Sequence, residues 1–146
     1  MRRALAVDAE TVRAIVVAAY QRYVSRIGRE PGPMRANYDS LVGDGNVWLA
    51  ADDGVVVGLV VLVPEPDHLL LENVAVTPAA QGRGIGTQLM VFVEDEARRR
   101  GLTEVRLYTH EAMTENIAYY ERRGYTETHR ETEHGFRRVF FRKALA

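Results

Sequence analysis

Three glycines fall at alternate positions in Gln81-Gly82-Arg83-Gly84-Ile85-Gly86-Thr87, directly before a run with helical spacing. Glycine lets a backbone come close to a ligand and turn through positive φ. The free N–H groups of a helix start, with its positive dipole end, make an anion site, and a pyrophosphate suits it well. A dinucleotide fold uses G-x-G-x-x-G, whereas the spacing here is G-x-G-x-G. A nucleoside-triphosphate loop needs Gly-Lys-Ser/Thr, and this stretch holds no lysine. The plain alternative is a helix start that only needs small residues, although glycines weaken a helix by up to ~1 kcal/mol each.

Further along, Met113, Ile117 and Tyr120 stand at i, i+4, i+7, which turns Tyr120 inward and leaves Tyr119 ~100° around the helix. The structural alternative for Tyr120 is a core tyrosine whose hydroxyl finds a backbone partner. Glu72 interrupts an apolar strand, and by period-two alternation it shares a face with Leu70, Val74 and Val76. The histidines at 68, 110, 129 and 134 show no metal-ligand spacing, so no metal is expected. His110 stands apart because it ends a predicted strand.

These residues need elements to hold them. Asp8 reads as the N-cap of a first helix whose apolar face is Val12, Ile15, Val16, Ala19 and Tyr23, fading near Gly28. Residues 28–45 hold Pro31, Pro33 and several glycines around Met34 and Tyr38, and read as a mobile segment with one helical turn. Strands follow at Val47–Ala51, Val55–Val63 and His68–Val76, the first two joined by the turn Asp52-Asp53-Gly54. Gly84–Arg100 is predicted as a helix buried along Ile85, Leu89, Phe92, Val93 and Ala97. Its charged residues, Glu94 and Asp95 among them, read as a solvated face. Val105–Thr109 is a strand, Thr114–Arg123 a helix closed by Gly124, and Thr126–Lys143 a hairpin turning near His134-Gly135. The strand–helix–strand unit over 68–109 implies one parallel pair in an otherwise antiparallel sheet. The fold class is thus α/β, α+β-like, a single mixed and mainly antiparallel sheet with helices on its faces.

At 146 residues, residues 1–146 fit one domain. A hydrophobic content of 47% with 27% charge excludes a disordered or collagen-like chain. Nineteen Lys+Arg against 20 Asp+Glu give a net charge of -1, so no field points to nucleic acid or to an anionic membrane. Zero cysteines exclude a disulfide scaffold and a thiol nucleophile. The N-terminal apolar stretch is too short for a signal peptide, and the longest apolar run is a strand. A soluble, cytoplasmic chain is therefore expected.

Gln81, Gly84 and Gly86 fill the fixed positions of Q/R-x-x-G-x-G/A, and the loop resembles the pyrophosphate loop of the GNAT superfamily of acetyl-CoA-dependent N-acetyltransferases. Val74-Ala75-Val76 resembles that family's central strand. Asn116-Ile117-Ala118-Tyr119-Tyr120-Glu121-Arg122-Arg123-Gly124-Tyr125 is similar to its second motif, in the family's order and separation. The resemblance covers nearly the whole chain, weakest over 28–45. It implies a parallel pair splayed into a slot for acetyl-CoA, whose pantetheine would lie along Val74, Ala75 and Val76. Gln81, Gly82, Arg83, Gly84, Ile85, Gly86 and Thr87 would take the pyrophosphate, with Arg83 either adding a charge-assisted contact or standing as a solvated surface residue.

By the same resemblance Tyr120 is the general acid that protonates the leaving thiolate, and it contacts the co-substrate together with Asn116, for which helix-start hydrogen bonding is the alternative. Glu72 is the candidate base for an amine that is mostly ammonium at pH 7, directly or through water; the alternative is a structural salt bridge with an arginine. Met34, Tyr38, Glu72 and His110, with Arg29, Arg35 and the hairpin near His134, would shape the acceptor pocket. The implied reaction is direct attack of a small-molecule, peptide or protein amine on the acetyl thioester in a ternary complex. The competing reading is a non-catalytic acyl-CoA sensor. Dimers are common among look-alikes, so a homodimer is an assembly the resemblance allows.

Overall fold

The apolar, β-branched runs between residues 47 and 76 form the middle of a seven-stranded sheet in the computed structural model, which describes residues 1–146. In chain order the elements are β1 (Arg2–Arg3), α1 (Ala9–Tyr20), α2 (Val24–Ile27), α3 (Tyr38–Gly43), β2 (Val47–Asp52), β3 (Val55–Pro64), β4 (Leu69–Val76), α4 (Ile85–Arg99), β5 (Glu104–His110), α5 (Thr114–Arg122), β6 (Thr126–Glu133) and β7 (Phe136–Ala144). The strand order is β1-β2-β3-β4-β5-β7-β6, and only β4 and β5 run parallel. This is the mixed sheet with one parallel pair that the strand–helix–strand unit implied.

Both faces are covered. On one, Val12 and Val16 of α1 and Tyr38 and Val42 of α3 pack on Leu49, Leu59 and Val61. On the other, Leu89, Met90, Val93 and Ala97 of α4 pack on Val60, Leu62, Leu71, Leu107 and Phe141. Each such aliphatic side chain contributes about 1.5–3 kcal/mol on leaving water.

Four readings of the sequence change in detail. The N-terminal residues, for which the sequence pattern predicts no element, form β1, which pairs Arg2 with Leu49 and Arg3 with Trp48. Asp8 does not cap α1 through its side chain; its carboxylate turns back to the Leu5 N–H, 2.7 Å away, and to the Arg2 guanidinium. The 28–45 segment is ordered, with a 3₁₀ turn at Gly32–Arg35 and then α3, because Met34, Tyr38 and Val42 are buried. The charged side of α4 is not all solvated. Glu94 is buried, accepting from Tyr125 Oη at 3.0 Å and pairing with Arg123 and Lys143, while Glu96 is buried beneath Arg99 and Arg100. Buried carboxylates persist where such partners compensate desolvation. No helix is long and apolar enough to cross a membrane.

Candidate active site

One extra residue in β4 organises the site. Val61 of β3 stands opposite Asn73, but its neighbour Leu62 stands opposite Leu71, so Glu72 is a β-bulge with no partner in β3. The bulge breaks the side-chain alternation: Leu71 and Val74, three apart, both pack into the core under α4, while Ala75 packs into the core under α1. The expectation that Glu72 continues one regular face with Leu70, Val74 and Val76 is therefore corrected. It stands instead where the two parallel strands part. β4 and β5 pair only from Leu69 to Leu71 against Val105 to Leu107, and beyond that the sheet opens.

The opening leaves one edge of β4 bare. The carbonyls of Val74 and Val76 point into it, reached by Tyr20 Oη at 3.3 Å and by Gln81 Nε2 at 3.1 Å. The amides of the same residues lie on that edge too, since N–H and C=O of one residue point the same way in an antiparallel pair. A cavity of about 310 Å³ runs along this edge. Glu72, Val74, Ala75 and Val76 form one wall, Gln81, Gly82, Gly84, Ile85 and Gly86 one end, and Asn116 and Tyr120 the wall opposite.

At the glycine end, Gly84 caps α4 in the left-handed region, φ +80°, with no side chain bonded to the helix start. The first-turn amides are thus left without intrahelical partners. A Cβ at Gly82, Gly84 or Gly86 would meet nothing within 4 Å, so the cradle is open where a ligand would approach. These features fit a pyrophosphate, and the bare strand edge beside them fits an amide-bearing arm such as pantetheine. Arg83 and Thr87 do not line the cavity. Arg83 is exposed, 3.7 Å from Asp52, and Thr87 Oγ1 lies 3.2 Å from Tyr119 Oη.

α5 presents Tyr120 inward, as its spacing implied; the residue is 7% exposed. Its ring packs against Tyr119, Tyr125 and Phe141, and no hydrogen bond of the chain engages its hydroxyl. Burial pushes its phenol above the ordinary tyrosine range, with the neighbouring tyrosines Tyr119 and Tyr23 adding to this, so it stays protonated. Asn116 lines the same cavity while its Nδ2 lies 3.6 Å from Met113 Sδ.

On the other side of the bulge the acceptor-side residues divide. Tyr38 is buried and its hydroxyl donates to Pro33 O while accepting from Asn73 Nδ2 at 3.1 Å. Asn73 Oδ1 in turn accepts from Tyr20 Oη at 2.7 Å. Burial raises both the Tyr38 and Tyr20 phenols, which act as fixed hydrogen-bonding posts. Met34 is buried and lines neither the donor cavity nor the spaces lined by Tyr38 and His110, so it serves packing. His110 accepts the Ala112 N–H at Nδ1, 3.0 Å away, and burial lowers its pKa below the ordinary histidine value. Neutral and engaged at Nδ1, it offers a donor at Nε2 rather than a base. Sequence reasoning missed Tyr20, Asn73, Tyr108 and Arg138. Tyr20 follows Val16 at i+4, and that spacing was the available signal.

The mixed sheet, whose parallel strands part over a bare-edged slot beside an uncapped glycine helix start, is the arrangement that the resemblance to the GNAT superfamily implied. The sequence pattern of the Acetyltransferase (GNAT) family matches residues 11–125, and the chain belongs to that family. It is 32% identical over 89 residues to the uncharacterized protein YxbD of Bacillus subtilis, covering 61% of this chain and 53% of that protein. It is 34% identical over 83 residues to the mycothiol acetyltransferase of Beutenbergia cavernae, covering 55% of this chain and 28% of the relative. The chain thus spans about half the length, or less, of these curated relatives. Among solved structures it resembles the PaiA N-acetyltransferase of Thermoplasma acidophilum in complex with coenzyme A, at TM-score 0.79 and 17% identity, with 98% of this chain and 96% of that one covered. It also resembles a GNAT family acetyltransferase of Elizabethkingia anophelis with acetyl-CoA bound, at TM-score 0.63 and 22% identity, covering 73% and 80%.

Proposed function

We propose that this chain is a single N-acetyltransferase domain that moves an acetyl group from acetyl-CoA to a primary amine by direct attack in a ternary complex. Acetyl-CoA supplies the activated thioester. Two neighbours in fold carry coenzyme A or acetyl-CoA in their solved structures, which supports the donor.

The chain's own residues carry the rest. The bare edge at Val74 and Val76 holds the donor arm in strand fashion, and an amide there polarises the carbonyl that takes up negative charge. The uncapped amides after Gly84 hold the pyrophosphate, with Arg83 and Thr87 at the rim of the loop. Glu72, unpaired at the bulge, takes the proton from the incoming ammonium, directly or through a water. Tyr120, protonated at every working pH, donates to the leaving sulfur. Asn116 helps to position the donor arm beside it.

The observation that carries this reading is the parting of β4 from β5 at Glu72, which puts an unpaired carboxylate, a bare strand edge and an inward phenol on one cavity. The test is titration with acetyl-CoA followed by thiol release in the presence of amines. Binding with amine-dependent release is the expected result. Binding with no release on any amine favours the sensor reading, and no binding removes both.

A further inference from the structure

The acceptor's chemical class follows from two chambers behind the bulge, and it rests on the N-acetyltransferase reading above. They measure about 50 and 140 Å³, and both are lined by Gly32, Pro33, Glu72, Tyr108 and Arg138. Glu72 also lines the donor cavity, so it is the hinge point between donor and acceptor space.

Arg138 is held for a purpose. Its side chain is 16% exposed and its guanidinium lies 4.6 Å over the Tyr108 ring. Nη1 lies 3.1 Å from Glu133 Oε1. Nη2 lies 3.4 Å from where a Cβ on Gly32 would stand, so the absent side chain there makes room for it. The ion-pair partner of Arg138 is Glu133, at the rim, and not Glu72, which shares both chambers with it and is left without one. Burial raises the Tyr108 phenol, and the charges of Arg138 and Glu72 both act on it.

No other cation faces these chambers. His110 is held neutral by burial, and Arg29 is turned onto the Phe136 ring, 3.7 Å away, and bonded to the His134 carbonyl. Desolvated opposite charges close together normally pair. Lining the same two chambers without pairing with each other, Glu72 and Arg138 complement a ligand that carries both signs. The remaining guanidinium donors match the two oxygens of a carboxylate.

We propose that the acceptor is an amino acid, its ammonium held at Glu72 and its carboxylate at Arg138. The ammonium end then stands at the boundary with the donor cavity, where its deprotonation prepares the attack.

The experiment measures thiol release from acetyl-CoA with the common α-amino acids and their carboxamides, with spermidine and phosphoethanolamine alongside. At least one amino acid is expected to exceed its own carboxamide in kcat/KM by about tenfold or more, the size of one charge-assisted contact. Arg138→Gln brings that ratio towards one through KM, with acetyl-CoA affinity unchanged because Arg138 lies outside the donor cavity. Arg138→Lys keeps the charge and part of the preference. Carboxamides or spermidine used as well as the acids, phosphoethanolamine preferred to them, or a ratio untouched by Arg138→Gln would overturn the proposal. So would acetyl-CoA binding with no amino acid acetylated. Failure to bind acetyl-CoA instead removes the acetyltransferase reading itself, and the titration tells the two apart.

Discussion

Asn73 Nδ2 lies 3.1 Å from Tyr38 Oη, and this bond ties β4 to the segment that roofs the acceptor side. The donors run one way, from Tyr20 to Asn73, from Asn73 to Tyr38, and from Tyr38 to the Pro33 carbonyl. Asn73 is buried, so the chain of bonds crosses a region where unpaired polar groups are costly. Asn73→Ala takes one hydrogen-bond partner from each of two phenols and is expected to cost about 1–3 kcal/mol in denaturant unfolding. Faster hydrogen exchange over residues 31–43 and a raised KM for the amine should accompany it. Unchanged exchange there would show that the roof is held by packing alone.

Gly84 tests the phosphate cradle. With φ +80° and open space around a built Cβ, the strain of Gly84→Ala is backbone strain alone, about 1–2 kcal/mol. Because that residue starts α4 and aims its first amides, weaker acetyl-CoA binding by titration is expected as well. An affinity equal to that of the wild type would place the pyrophosphate elsewhere.

Glu96 sets an acid limit on stability. Hydrogen bonds from Arg99, at 2.6 and 2.7 Å, and then from Arg100 hold its carboxyl below the usual range. Its folded pKa is the lower one, so its contribution is present above the unfolded value of about 4.3 and is lost as pH falls through that range. Denaturant unfolding should therefore show Glu96→Gln less stable than the wild type at pH 7, with the gap narrowing as pH falls below the unfolded carboxyl value. A gap independent of pH would mean that the loss is one of packing.

Glu72→Gln addresses the base. Turnover at neutral pH is expected to fall about 10²-fold, the lower end for a positioned proton acceptor. The loss should shrink as pH rises towards the ammonium pKa near 10, where the free amine no longer needs a base. Tyr120 is held protonated above that range by burial, so the wild-type rate should not decline from its ionisation below about pH 10. A constant deficit across pH would move the base elsewhere.

Much of this was legible in the chain. The glycine turn, the buried stripe of α4 and the single parallel pair follow from periodicity, and the structure has all three. What periodicity hides is a one-residue insertion. Glu72 reads as one more position of an alternating strand because a bulge changes nothing in residue types, only in what lies across from it. Glu94 reads as surface because its helix shows only helix neighbours. Its partners Arg123, Tyr125 and Lys143 arrive from the other end of the sequence. Glycine and proline made 28–45 look mobile, yet Met34, Tyr38 and Val42 are buried and Tyr38 bonds to a distant asparagine, contacts that no local pattern shows.

If Tyr120 serves the leaving sulfur in an acetyl transfer, removing its hydroxyl must slow the chemical step without loosening the donor. Acetyl-CoA affinity by calorimetry and amine-dependent thiol release are measured for the wild type beside Tyr120→Phe. Release by the wild type, a fall of about 10²-fold or more in kcat for the variant, and an unchanged dissociation constant are expected. Equal rates in the two proteins would contradict that role of Tyr120.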